Sequence, residues 1–107
     1  IGNIEGRDVL TGKADVMVCE GFTGNIILKM AESLYDISQE RKLEDAYFNR
    51  FNFENYGGTP VLGVAKPVII GHGISGAKAF MNMIRLAQLM LEKNVMEKMK
   101  EELAWWV

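Results

Sequence analysis

The sequence is poor in the residues that would make several functions possible. It has one cysteine, Cys19, so it cannot build an internal disulfide framework, and a lone thiol fits a reducing compartment. It has one histidine, His72, and with one cysteine and scattered carboxylates this gives no zinc-type ligand cluster and no sign of a bound cofactor. Only two prolines occur. No apolar run approaches the roughly 18 residues of a membrane span. Charge of one sign is also lacking: 12 basic against 14 acidic residues leave a net charge of -2. That balance gives no global attraction for nucleic acid or an anionic membrane surface. No charged-then-apolar leader pattern follows the first residue, Ile1, and a chain opening on Ile-Gly-Asn reads as a piece of something longer.

What is present is a globular composition. Of 107 residues, 49% are hydrophobic and 24% charged, too apolar for a disordered segment. The length suits one domain with a thin core. Asp15–Glu20 is a Val-rich run and reads as a buried strand, with Cys19 as a core residue. Ile27, Met30, Ala31, Leu34 and Ile37 recur at helical spacing and predict a helix over 25–41, with Thr23 or Asn25 as its cap. Glu44–Asn49 predicts a short helical turn, and Phe48, Phe51, Phe53 and Tyr56 crowd a connector whose aromatics suit a core. Tyr56-Gly-Gly-Thr-Pro60 reads as a break. Val61–Val64 and Pro67–Ile70 read as two strands of a hairpin turned at Ala65-Lys66. Ser75 is placed to cap a helix over 76–93, with Phe80, Ile84, Ala87 and Leu91 inward. Asn94 with Glu97 resembles a capping box opening a last helix through Leu103. The order predicts an α/β layer arrangement, a short mixed sheet flanked by helices.

Two strand-to-helix turns carry the chemical information: Glu20-Gly-Phe-Thr-Gly-Asn25 and Ile70-Gly-His-Gly-Ile-Ser75. Ligands of open α/β sheets bind outside the carboxyl ends of strands, where helix N-termini offer N–H groups to phosphate. Gly21, Gly24 and Gly73 would let the backbone approach an anion closely, or only make tight turns. Asn25 is either a donor to a developing oxyanion or a first-turn cap. His72 is either a phosphate contact and general acid or base, or a histidine satisfied at a strand end. Ser75 is a phosphate ligand or a cap. Glu5, Arg7 and Asp8 form either a substrate clamp or a local ion-pair cluster. The Met-rich last helices (Met81, Met83, Met90, Met96, Met99) read as a simple core before any apolar channel.

Ile1–Asp8, Ala14–Asn25, Tyr56–Pro60 and Val68–Ser75 together resemble the bacterial phosphate acyltransferases of phospholipid synthesis (PlsX type), in order and over nearly the whole chain. The resemblance implies transfer of a fatty acyl group from acyl carrier protein to inorganic phosphate, in a cytoplasmic homodimer that can sit peripherally at the inner face of the membrane. It implies a Rossmann-like fold, akin to phosphotransacetylases and isopropylmalate dehydrogenases. On this resemblance, residues 1–107 are the C-terminal third of the domain, and the chain alone should be inactive. It carries a catalytic role onto Asn25, and places His72, Gly73 and Ser75 near the active-site cleft. Three departures stand out. Glu20 replaces an Asp of many members. Ile74 and Gly76 replace more polar residues. The stretch between Lys29 and Tyr56 is shorter, which weakens any membrane attachment. Two other readings remain: a short-chain phosphotransacylase using acyl-coenzyme A, and a non-catalytic α/β interaction module.

Overall fold

The computed structural model describes residues 2–104. The chain falls into two compact units, Ile1–Ala31 and Glu32–Val107.

In the first unit a 3-10 turn (Gly6–Asp8) leads through turns and an irregular stretch into helix α1 (Gly21–Glu40), whose second half belongs to the other unit. The strand expected over Asp15–Glu20 does not form. Residues 16–20 have no regular secondary structure, and Val16 and Val18 are 79% and 94% exposed. The run has the composition of a buried strand. Its backbone groups find no neighbouring strand among the described residues to complete a ladder. Cys19, expected in the core, is exposed for the same reason.

The second unit is organised around helix α3 (Ala77–Glu92). Helix α1 ends in a Schellman turn. Leu43 N–H donates to the Ser38 carbonyl (2.8 Å), Lys42 N–H donates to the Gln39 carbonyl (3.0 Å), and Lys42 takes φ 55°. A short helix α2 (Ala46–Asn49) follows, capped by Asp45, whose Oδ1 accepts from the Tyr47 N–H at 2.8 Å. After a 3-10 turn at Phe53–Asn55 come strands β1 (Gly58–Pro60) and β2 (Ile69–Gly71). They form an antiparallel pair with Gly58 opposite Gly71 and Pro60 opposite Ile69. A hairpin is therefore present, but its first strand lies three residues before the expected Val61–Val64. The segment expected to break structure is the strand. The expected mixed sheet is, among the described residues, this antiparallel pair alone.

Two glycines explain the shift. A Cβ on Gly57 would stand 2.5 Å from the Met83 backbone nitrogen and 2.6 Å from the Ala79 carbonyl oxygen, and Gly57 has φ 81°. A Cβ on Gly58 would stand 2.5 Å from the Ile70 carbonyl oxygen. The missing side chain at Gly58 lets β1 lie close on β2, and the one at Gly57 lets α3 lie directly against the start of the hairpin. Asn82 Nδ2 fastens it further by donating to the Glu54 carbonyl at 2.7 Å.

This contact decides which face of α3 is buried. Ala79, Met83 and Met90 are the buried hydrophobic residues, whereas Phe80, Ile84 and Leu91, expected inward, are 57%, 70% and 62% exposed. The helix is apolar on more than one side, and the glycine-lined hairpin takes the side with the small Ala79. Helix α4 (Val95–Leu103) follows after Asn94. Asn94 is not the side-chain cap expected; it adopts φ 51°, a left-handed hinge that Asn tolerates. The architecture is helical with a small sheet, compatible with an α/β class. Among the described residues, no helix is long and apolar enough to cross a membrane.

Candidate functional site

The two glycine turns of the sequence become two different structures. At the first, α1 begins at Gly21, four residues before the expected start. Glu20 is the reason. Its Oε2 accepts from the Phe22 N–H at 2.6 Å and its Oε1 from the Thr23 N–H at 2.7 Å. A carboxylate therefore already occupies the N–H groups at this helix start, and its charge complements the positive end of the helix. The Thr23 hydroxyl foremost, then the Thr23 and Phe22 N–H groups, hold the Glu20 carboxyl below its usual range. Asn25 consequently stands in the second turn of α1, exposed, where it is not a first-turn cap. Gly24 lies against Cys19: a Cβ there would be 3.2 Å from the Cys19 Sγ.

The second turn keeps its helix end open. Strand β2 ends at Gly71, and the Ser75 N–H donates to the His72 carbonyl at 3.0 Å, which closes a tight turn over His72–Ser75. Gly76, extended at φ -96° and ψ -171°, is the N-cap of α3, and no side chain caps it. Ser75, expected as the cap, points its hydroxyl inward instead. Its Oγ is buried and has no hydrogen-bond partner among the described residues. A Cβ on Gly71 would lie 3.6 Å from that oxygen and 3.0 Å from the Met83 Sδ. The absence of a side chain at Gly71 therefore lets the Met83 side chain pack close against this turn. An uncapped start of a 16-residue helix and an unpartnered hydroxyl are both donors suited to an anion.

His72 belongs to the same turn and is held from two sides. Its Nε2 lies 3.3 Å from the Glu32 Oε2, both side chains being 29% exposed. Its ring sits 4.7 Å from the Phe53 ring centroid, tilted by 36°. His72, Gly73 and Ser75 are thus brought together in one turn, while Gly21, Gly24 and Asn25 form the start of α1 in the other unit. No sequence motif marks Glu32 as part of this group. It stands 40 residues from its partner, and its one local signal is a carboxylate next to Ala31 and Tyr35 on the more covered side of α1.

The remaining candidates are locally satisfied. Arg7 pairs with Glu5 at 2.9 Å on the open surface. The Asp8 Oδ2 accepts from the Glu5 N–H at 2.9 Å and from the Lys13 ammonium at 3.0 Å, and these two, the N–H foremost, hold its carboxyl below the usual range. Glu5, Arg7 and Asp8 therefore form a local ion-pair cluster. Tyr47 packs edge-on against Phe48 and Phe51 at 5.6 and 5.4 Å, with Arg50 over its ring at 5.2 Å. Met83 and Met90 are core. Met96 and Met99 instead line an open cavity of about 560 Å³ with Val64, Ala65 and Leu103. Among the described residues no group of three or more His, Cys, Asp or Glu is placed to hold a metal ion.

Comparison with known proteins gives one consistent answer. The family model described as "Fatty acid synthesis protein" matches residues 1–40 and 40–98. A phosphate acyltransferase from Chlorobaculum tepidum is 40% identical over 127 aligned positions, covering 97% of this chain and 38% of that protein. One from Syntrophomonas wolfei is 40% identical over 108 positions, covering 96% and 34%. One from Thermoanaerobacter pseudethanolicus is 37% identical over 122 positions, covering 96% and 37%. The chain therefore spans somewhat more than a third of the length of the curated relatives it matches. The alignments of 127 and 122 positions are longer than the chain itself, so those two relatives carry extra residues inside the matched span. The family match also divides at residue 40, where α1 ends and the shortened stretch lies. No solved structure matches.

Proposed function

This chain belongs to the fatty acid synthesis protein family, and from that membership we propose that the whole protein transfers a fatty acyl group from acyl carrier protein to inorganic phosphate. The product is an acyl phosphate that supplies phospholipid synthesis. The observation that carries the proposal is the start of α3, with no side-chain cap, a buried Ser75 hydroxyl that has no hydrogen-bond partner among the described residues, and His72 in the same turn. Phosphate is the ligand this arrangement suits. The N–H groups and positive partial charge of the helix end bind its oxygens, Ser75 adds a side-chain donor, and His72 adds a side-chain contact. Gly73 is exposed, and a Cβ placed on it would meet no atom within 4 Å, so the approach to the turn stays open.

The chemistry needs no covalent intermediate on the protein. A phosphate oxygen attacks the thioester carbonyl, a tetrahedral oxyanion forms, the carbon–sulfur bond breaks, and the carrier thiol leaves with a proton. Positioning phosphate against the carbonyl removes several kcal/mol of the barrier, up to about 7–11 in well-oriented cases. Asn25 donates its side-chain amide to the oxyanion, for roughly 3 kcal/mol more. A neutral donor suits that place because it neither repels phosphate nor depends on its protonation state. Gly21 and Gly24 shape the backbone beside it, and Arg7 exchanges its Glu5 partner for a charged substrate. The whole protein completes a Rossmann-like layer and works as a homodimer in the cytoplasm, with membrane contact that is peripheral at most. The apolar residues left open here, among them Val16, Val18, Phe80 and Ile84, are the surface such completion covers.

Steady-state kinetics of the whole protein test this reading. Ser75→Ala should raise the KM for phosphate about tenfold, with a small effect on the KM for the acyl donor. Acyl carrier protein thioesters should be preferred over coenzyme A thioesters, and the 107-residue chain by itself should form no acyl phosphate. Preference for a short acyl-coenzyme A would favour the phosphotransacylase alternative. Full activity of Asn25 and His72 variants would favour a non-catalytic module.

A further inference from the structure

His72 is held by a residue that no sequence motif announces. The imidazole belongs to the turn after β2, the carboxylate of Glu32 to α1, and the ring of Phe53 to the 3-10 turn before β1. Three elements of one compact unit converge on one side chain. Each constrains something different. The Phe53 ring, 4.7 Å away and tilted by 36°, sets the plane of the imidazole. The Glu32 Oε2, 3.3 Å from Nε2, sets which edge of the ring is engaged.

We infer that Glu32 is the positioning residue for His72, holding the ring by its Nε2 edge. The inference rests on the reading that His72 serves the phosphate turn. A carboxylate can only accept, so it draws a ring hydrogen to Nε2 and fixes which edge of the imidazole faces α1. Glu32 acts through His72 and is not itself assigned a contact with substrate.

The test uses the whole protein labelled with ¹⁵N-histidine, in wild-type form and as Glu32→Ala, Glu32→Gln, His72→Asn and the Glu32→Ala/His72→Asn double variant. The imidazole resonance missing from His72→Asn identifies His72. A hydrogen-bonded Nε2–H exchanges slowly enough to be seen as a proton coupled to its nitrogen. It should be visible in wild type and in Glu32→Gln, whose amide oxygen still accepts, and lost in Glu32→Ala. On the activity side, Glu32→Ala should lower kcat about 10- to 100-fold, the range for a lost hydrogen bond to a charged group, with a small change in the KM for the acyl donor. Glu32→Gln should recover part of that loss. In the His72→Asn background, Glu32→Ala should cost nothing further, because its target is gone. A protected Nε2–H that is absent from the wild type, or that persists in Glu32→Ala, overturns the inference. So do additive losses in the double variant, or equal losses in Ala and Gln that track a fall in thermal stability. The spectroscopic arm needs no turnover. A whole protein that forms no acyl phosphate would sink the proposed function, while the Nε2–H signal would still decide the pairing.

Discussion

Asn25→Ala in the whole protein separates catalysis from structure more cleanly than any other single change. Asn25 stands in the second turn of α1, exposed, and the helix start is already capped by the Glu20 carboxylate at 2.6 and 2.7 Å. Removing its amide therefore leaves the two N–H groups bonded to Glu20 undisturbed. Alanine is the better helix former by about 0.5 kcal/mol, so unfolding stability should stay level or rise slightly. The rate should move the other way. Loss of one oxyanion donor costs about 2.7–4 kcal/mol of transition-state stabilisation, a fall in kcat of about 10²–10³. The KM for the acyl donor should change little, because the ground-state carbonyl carries little charge. Asn25→Asp should be at least as slow, because it places a negative charge where one has to develop. It should not be less stable, since a carboxylate near a helix start is favourable. The assay is steady-state formation of acyl phosphate from acyl carrier protein thioester, paired with urea unfolding of the same preparations. An Asn25→Ala enzyme within about threefold of wild-type kcat, or an Asn25→Asp enzyme of normal rate, would refute the catalytic role. A rate loss that appears only with a matching loss of stability would refute it too.

Gly57→Ala should destabilise the second unit by about 2–5 kcal/mol, from the left-handed backbone at φ 81° and the overlap with the α3 backbone at 2.5 Å; denaturant unfolding with a midpoint near wild type would refute that packing. The Glu20 carboxyl is held below its usual range in the folded state, so its contribution is complete above that range and is lost as pH falls through the lowered folded value. Glu20→Gln should therefore flatten the acid limb of the stability profile, and an unchanged acid limb would contradict the cap. The stretch between Leu34 and Phe51 carries Asp36, Glu40, Glu44 and Asp45 against Arg41, Lys42 and Arg50, which gives no basic face for a bilayer. The whole protein should float weakly with anionic liposomes at physiological salt, and strong co-flotation would contradict this.

Local periodicity placed the helices well and their surroundings badly. Ile27, Met30, Ala31, Leu34 and Ile37 identified α1, but its start came four residues early because a Glu, uncommon as a cap, took the role. The apolar run at 16–20 was a fair strand signal, and it stays unpaired because a strand needs a neighbour that no described residue supplies. The inward face of α3 was legible only as one of two apolar faces. The choice between them came from Gly57, whose missing Cβ matters only once α3 lies on the hairpin. At the candidate site, the turn around His72 and Ser75 could be read from glycine spacing. Which helix start was open to an anion could not, because that depended on Glu20 reaching back at one turn and Ser75 turning inward at the other. The pairing of Glu32 with His72 spans 40 residues and leaves no periodic trace.

The central claim is that the whole protein makes acyl phosphate from a carrier-bound acyl group and inorganic phosphate. Organic extraction isolates labelled acyl phosphate formed from radioactive inorganic phosphate, and the released carrier thiol can be titrated in a parallel sample. Labelled acyl phosphate and free thiol should appear in a one-to-one ratio, both rising with phosphate, with no thiol released in its absence. Thiol release that is independent of phosphate, or no labelled acyl phosphate above the no-protein control, would contradict the claim.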